Sequence, residues 1–266
     1  MIKNVNNNIS LELDRNYLNL NRIIELNKTI HGNYTDRYEY HMQHIKLSVA
    51  YATKLVHRLN ISMDLHKLRY SLYAHDLLKD KAFDKNVNEV VIDDLKIPNN
   101  LNWYVRSNLD ILEKYGLDEY FNTDIQLHPL AAGIFLVKEL NMNDPDILYP
   151  IFFHSCPIIS VYEKLDKHIQ DIIDIAMLSD KLSSNHIKQD SKKTICNLNT
   201  IVFGEHDNEL NYSLGLFIAR LISQGNSTEE QSSKTTEYYY NRLLKINPFI
   251  NKISYKELEK AWVRNK

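Results

Sequence analysis

The amino-acid sequence predicts an all-α protein, an irregular single-domain bundle of about ten helices, and three observations carry that prediction. Glycine and proline number only 6 each in 266 residues, less than half their usual combined share of ~12%, which argues against collagen-like, disordered and turn-dense β architectures. Apolar residues recur three and four apart along much of the chain, the spacing of one buried helix face. Capping residues and Gly-, Asn- or Pro-containing stops divide these stretches into helix-sized segments.

The segment LDRNYLNLNRIIELNKTI predicts a first helix from Leu13 to about Ile30, stopped by His31-Gly32-Asn33. Thr35 and Asp36 are good N-cap residues for a second, YEYHMQHIKLSVAYATKLVHRL, reaching about Leu59. Ser62-Met63-Asp64 can cap a third, in which Leu65, Leu68, Leu72 and Tyr73 form one stripe and His75-Asp76 falls near the C-terminal end. Residues 80–127 are the least regular stretch. They combine Lys- and Asp-rich polar turns, a break at Ile97-Pro98-Asn99-Asn100 and a helix through WYVRSNLDILEKYG to Gly116, and they read as an inserted lid or pocket wall.

His128-Pro129 opens a strongly apolar helix to about Leu140, because proline suits the first helical turn. Asn141–Asp146 is a turn, followed by a helix carrying ILYPIFFHS that Pro157 closes, and by another from about Lys167 through HIQDIIDIAMLSDKLSS. Residues 190–203 form an irregular connection. Beyond it SLGLFIARLISQG, with Gly225 as stop, and TTEYYYNRLLKI belong to a C-terminal helical extension, residues 205–266, packed on the core. Residues 1–266 thus read as one domain, large enough to fold without a disulfide or metal staple.

With 32 Lys+Arg against 34 Asp+Glu, the chain carries a formal charge of -2. That balance lacks the clustered basic excess that marks partners such as duplex nucleic acid or an anionic membrane surface. Apolar runs such as Leu130–Val137 are far shorter than a membrane span, and the N-terminus lacks the apolar core of a signal peptide. The expected location is cytoplasmic, with Cys156 and Cys196 as ordinary thiols.

Histidine is the informative residue. Of 11, His44, His75, His128 and His154 fall in or at the edges of apolar helices, with His41 a rival to His44, and Asp76 and Asp180 accompany them. A dinuclear centre that hydrolyses phosphoesters needs neutral imidazoles and a carboxylate able to bridge two cations. Adjacent His75 and Asp76 meet part of that need, since neighbouring helical side chains diverge by about 100° and can serve two ions in a cleft. His44 and Asp180 then complete one ion, while His128 and His154 hold the second with Asp76 bridging. His44 is preferred to His41 for its distance to the turn at Asn60.

This order of residues resembles the HD-domain phosphohydrolase superfamily: His44, then His75-Asp76 in AHDLLKD, then Asp180 in LSDKL. His128 in QLHPLAAGIFLVKE and His154 in YPIFFHSCP are similar to the extra ligands of the dinuclear subgroup, and within it the chain most resembles YqeK-type proteins over roughly residues 37–246. The resemblance implies a helical HD-type fold, two divalent cations, and symmetric hydrolysis of a dinucleoside polyphosphate such as diadenosine tetraphosphate. The stretches between Asp76 and His128 and between His154 and Asp180 are longer than the family pattern. A 5'-nucleotidase acting on nucleoside monophosphates is therefore the alternative, and a non-catalytic nucleotide sensor a third reading.

The mixed His/carboxylate set suits iron or manganese. Asp76 and Lys79 are the candidate catalytic residues, with Lys79 one turn from His75 and placed to meet phosphate charge. Arg37, Arg106 and Lys181 are further candidates for substrate binding. The partner expected is a small nucleotide, and a homodimer is compatible with this reading. A second His-Asp pair, His206-Asp207, sits in the polar context FGEHDNEL and is assigned no role; Cys156 and the Tyr238–Tyr240 run read as packing.

Overall fold

The computed structural model describes residues 19–32, 35–79, 87–118, 127–154 and 159–188. Among these residues helix predominates, as expected, and the exception is one two-stranded sheet. The expectations for residues 1–18 and 189–266, including the C-terminal helical extension, His206-Asp207 and Tyr238–Tyr240, lie outside the described residues, as does Cys156.

Helix α1 spans Leu20–His31, and its N-cap Asn19 accepts the amide of Arg22. Helix α2 spans Thr35–Leu59. It stops where Asn60 turns left-handed (φ 50°) and the Ile61 amide reaches back to the Val56 carbonyl, a Schellman closure. Helix α3, Leu65–Ala74, is capped by Asp64, which accepts the amides of His66 and Lys67. His75 and Asp76 follow directly, in a turn rather than in the helix.

Residues 87–118 hold the main departure from what the sequence predicts. Strands β1 (Glu89–Ile92) and β2 (Leu95–Pro98) form an antiparallel hairpin, so Ile97-Pro98 ends a strand where a break was expected. Asp93 and Asp94 have φ of 49° and 65°, which suits a tight two-residue hairpin turn whose twist matches the strands. The helix expected through WYVRSNLDILEKYG is two short ones, α4 (Leu101–Arg106) and α5 (Leu109–Lys114). Asn108 separates them, because its side chain donates to the Tyr104 carbonyl at 2.7 Å and closes α4 instead of continuing it.

Helix α6 spans Leu127–Leu140 and α7 Pro145–Phe153, the latter capped by Asp144 onto the Asp146 amide. The short α8 (Ile159–Tyr162) leads to the long α9 (Lys167–Lys188). Helix α9 lies along α2 and also touches α7 and α3, while α3 packs against α1, α2 and α7. Lys67 pins α3 to the start of α7 through Asp144 and Asp146, each at 2.9 Å.

Helix α6 packs against α7, α4, α5 and the hairpin. Where α6 meets α7, Gly133 leaves no room for a side chain: a Cβ there would lie 2.1 Å from the Phe152 ring. Gly133 follows His128 by five residues on α6, and Phe152 precedes His154 by two at the end of α7. Leu77, Leu78, Leu130, Ile134, Ile151 and Phe153 are fully buried in the same core, so the turn after α3 and the two helices share one apolar floor. No helix among the described residues is long and apolar enough to cross a membrane.

Candidate metal centre

Five elements deliver polar side chains to one buried point. His44 comes from the middle of α2, His75 and Asp76 from the turn that ends α3, His128 from the first turn of α6, His154 from the C-cap of α7 and Asp180 from α9. All six are buried. They fall into two groups, His44, His75, Asp76 and Asp180 in one and Asp76, His128 and His154 in the other, so Asp76 belongs to both.

Donors bound about 2.1 Å from a common ion lie roughly 3.0–3.5 Å from one another. In the first group, His44 Nε2 is 3.0 Å from Asp180 Oδ1 and 3.3 Å from His75 Nε2, and His75 Nε2 is 3.4 Å from Asp180 Oδ1. Asp76 turns Oδ2 toward this group, 3.5 Å from His75 Nε2 and 3.7 Å from His44 Nε2. Its other oxygen, Oδ1, faces the second group, 3.1 Å from His128 Nε2 and 3.3 Å from His154 Nε2, which are 3.1 Å from each other.

The hydrogen bonds behind the rings decide which nitrogens face the centre. His75 Nδ1 donates to the Leu72 carbonyl and His154 Nδ1 to the Ile151 carbonyl, each at 2.7 Å. His44 Nδ1 donates to Ser183 Oγ at 2.7 Å, and that hydroxyl in turn contacts Ser48 Oγ and the Asp180 carbonyl at 2.8 Å each. Committing Nδ1–H in this way leaves Nε2 of the neutral ring as a lone pair aimed inward. Lone pairs of His44 and His75 then oppose each other at 3.3 Å, which is unfavourable unless a cation or a proton lies between them.

Asp76 Oδ1 is buried and has no hydrogen-bond partner among the described residues. A carboxylate oxygen left without a donor beside two imidazole nitrogens fits a bridging ligand. The donor set, four imidazoles and two carboxylates, can hold metal ions.

The electrostatics agree with this geometry. Burial works against the charge on Asp76, but His75, His128, His154 and Lys79 outweigh it and hold the carboxyl well below its ordinary range. For His75 burial again opposes the charged form, and Asp76 and Asp180 overcome it, raising the imidazole above its usual value. A proton shared there takes the place a cation can occupy. His154 moves the other way, to about 4, chiefly through burial. Lys79 Nζ contacts Asp76 Oδ2 at 2.8 Å while its side chain stays 40% exposed, so one end of the site is open to solvent.

His41, the rival first ligand, is turned away: its Nε2 bonds Asn27 Oδ1 at 2.9 Å, and its ring stacks on His31 with centroids 4.2 Å apart. Arg106 is exposed on α4 and its Nε donates to Asn102, so it is not among the residues brought together. Arg37 and Lys181 lie on α2 and α9, and their side chains fall outside the described set. Sequence reasoning missed the supporting serines. Ser48 follows His44 by four residues and Ser183 follows Asp180 by three, one helical turn in each case, and that spacing was the available signal.

Compared with known protein families, curated proteins and solved structures, the chain matches none.

Proposed function

We propose that this chain is a metal-dependent phosphohydrolase of the HD type acting on a nucleotide, with a dinuclear centre formed by His44, His75, Asp76, His128, His154 and Asp180. The observation that carries the reading is the division of Asp76, whose two oxygens face separate His-containing groups and whose Oδ1 lacks a hydrogen bond. The order of these residues along the chain, similar to that of the HD superfamily, supports it.

Two bound divalent cations, iron or manganese by the donor set, would supply Lewis acidity that lowers the pKa of a water and offsets charge on phosphoryl oxygens. The chain's own contribution is to hold the ligands. Asp76 stays anionic beside three histidines and Lys79, the Nδ1 hydrogen bonds keep His44, His75 and His154 in the ligating tautomer, and the apolar floor excludes water from below. The Lys79 ammonium, partly exposed at the rim, is placed to meet the negative charge of an incoming phosphate.

The leading substrate is a dinucleoside polyphosphate cleaved symmetrically. Its rival is a nucleoside monophosphate dephosphorylated by a 5'-nucleotidase, favoured by the extra structure between the ligand segments, the β1–β2 hairpin with α4 and α5. The test is elemental analysis of the purified protein together with product identification. About two equivalents of iron or manganese, with nucleoside diphosphate released from diadenosine tetraphosphate, is the expected result. Free phosphate from a monophosphate selects the nucleotidase. Nucleotide binding that persists unchanged after chelation, without turnover, overturns the enzyme in favour of a sensor.

A further inference from the structure

Helix α1 lies outside the donor set, yet its polar side chains converge on the turn that carries His75 and Asp76. Asn27 is fully buried in the middle of α1, where an apolar residue would pack without needing hydrogen-bond partners. Both of its amide hydrogens are used, one on the Ile23 carbonyl of its own helix at 2.9 Å and one on the Tyr73 carbonyl at 2.8 Å. Its oxygen therefore accepts from His41 Nε2–H at 2.9 Å. One turn further along α1, His31 Nε2 donates to the Leu77 carbonyl at 3.0 Å.

Tyr73 and Leu77 bracket the ligand pair, two residues before His75 and one after Asp76. From His75 onward the backbone is no longer α-helical: the Leu77 amide reaches only to Ala74 and the Lys79 amide only to Asp76, both three residues back. The last carbonyls of a helix have no partner inside it. Here Leu72 is met by His75 itself, Tyr73 by Asn27 and Leu77 by His31. A four-residue step on α1 is matched to a four-residue step across the turn.

We infer that α1 is a positioning element for the shared carboxylate: Asn27 and His31, acting through the Tyr73 and Leu77 carbonyls, fix the His75-Asp76 turn so that the two oxygens of Asp76 face the two donor groups. Neither residue touches a metal ion or substrate. The inference rests on the metal-site reading above, and its readout is metal binding by the chain rather than turnover.

The experiment titrates the metal-free full-length protein with Mn2+ alone, by calorimetry for affinity and by electron paramagnetic resonance for the spin-coupled pair that a shared carboxylate produces. Far-ultraviolet circular dichroism and urea unfolding of the metal-free variants report the fold. His31→Phe keeps the ring and removes the donor; it should weaken Mn2+ binding at least about 10-fold and replace the coupled signal with that of isolated ions, with helicity retained. His31→Gln restores an N–H donor and should return binding to within about 3-fold of wild type. Asn27→Leu should resemble His31→Phe, and if it does not fold, the His31 pair carries the test. A wild-type chain that binds no Mn2+ overturns the metal-site reading itself. Wild-type binding with His31→Phe equally tight and equally coupled overturns this inference alone, as does a His31→Phe defect that His31→Gln leaves uncorrected.

Discussion

His75 and His154 occupy equivalent places on two different helices. Each is a C-cap, each has Nδ1 on the carbonyl three residues earlier at 2.7 Å, and the two rings meet edge to face with centroids 4.7 Å apart. A histidine at the end of a helix can turn back to a carbonyl that the helix leaves unpaired, and in doing so presents Nε2 to the space beyond. The same local device therefore serves both donor groups, and the Asp76 carboxylate lies between them.

On the proposed function, Asp76→Ala should abolish hydrolysis and remove most bound metal while leaving the helical spectrum in place, because Asp76 belongs to both donor groups and the apolar floor is untouched. The measurements are turnover, metal content and circular dichroism of the same preparation. Full turnover in this variant rejects the site.

Ser183→Ala removes the acceptor of His44 Nδ1 and the hydroxyl next to Ser48. With the ring free to change tautomer, metal affinity should fall by about 10–100-fold with little change in the unfolding midpoint. Calorimetric titration distinguishes this from simple unfolding, since the metal-free variant should denature as the wild type does.

Gly133→Ala forces a methyl group against the Phe152 ring. Overpacking of this kind costs about 1–3 kcal/mol, and thermal unfolding should show the loss. Because the clash separates α6 from α7, the His128–His154 pair should loosen first, so occupancy is expected to fall toward one ion. Retention of two tightly bound ions in this variant would show that the α6–α7 contact does not set the pair.

Acid should destabilise the metal-free protein well above the carboxylate range. His41 is lowered to about 3, by burial first and then by the neighbouring His31, and His154 to about 4, by burial. Between their ordinary value of 6.5 and these depressed values the unfolded chain binds protons that the fold excludes, so stability present above pH 6.5 is lost as pH falls toward 4. His75, raised above 6.5, has the opposite sign: its contribution is full below 6.5 and is lost as pH rises through its folded value. The net slope below pH 6.5 should therefore be set by His41 and His154, at up to about 1.4 kcal/mol per pH unit for each. Urea unfolding with chelator across pH 4–7 checks this, and His41→Gln should flatten the slope.

Adding metal reverses the sign at His75, since a ligating imidazole must give up its proton. Mn2+ affinity should rise with pH through the raised value of His75, with proton release seen as a buffer-dependent heat. Affinity that does not change with pH would argue against His75 as a ligand.

Much of this protein is legible along the chain. The end of α2 and the start of α3 follow from Asn60 and Asp64, which close and open those helices by purely local chemistry, whereas α7 begins at Pro145, capped by Asp144, inside the turn expected over Asn141–Asp146. The β1–β2 hairpin was also locally encoded, in the Asp93-Asp94 pair between Val90-Val91-Ile92 and Leu95-Lys96-Ile97, but the polar character of the stretch masked it. The split between α4 and α5 depended on whether Asn108 turned its amide backward or outward, and the sequence alone leaves both open.

For the candidate site, the sequence by itself determined which residue types were available and in what order, because helical periodicity assigns a polar residue to an apolar stripe without reference to any partner. That His44 rather than His41 faces Asp180, that Asp76 divides its oxygens between two groups, and that Ser183, Asn27 and His31 stand behind the donor residues came from packing between distant helices. The physical reason is that His41 and His44 lie three residues apart on one helix and differ by less than a turn in direction. Which of them enters the centre is settled by what α1 and α9 place against each, and such contacts span separations of up to 139 residues that no local pattern records.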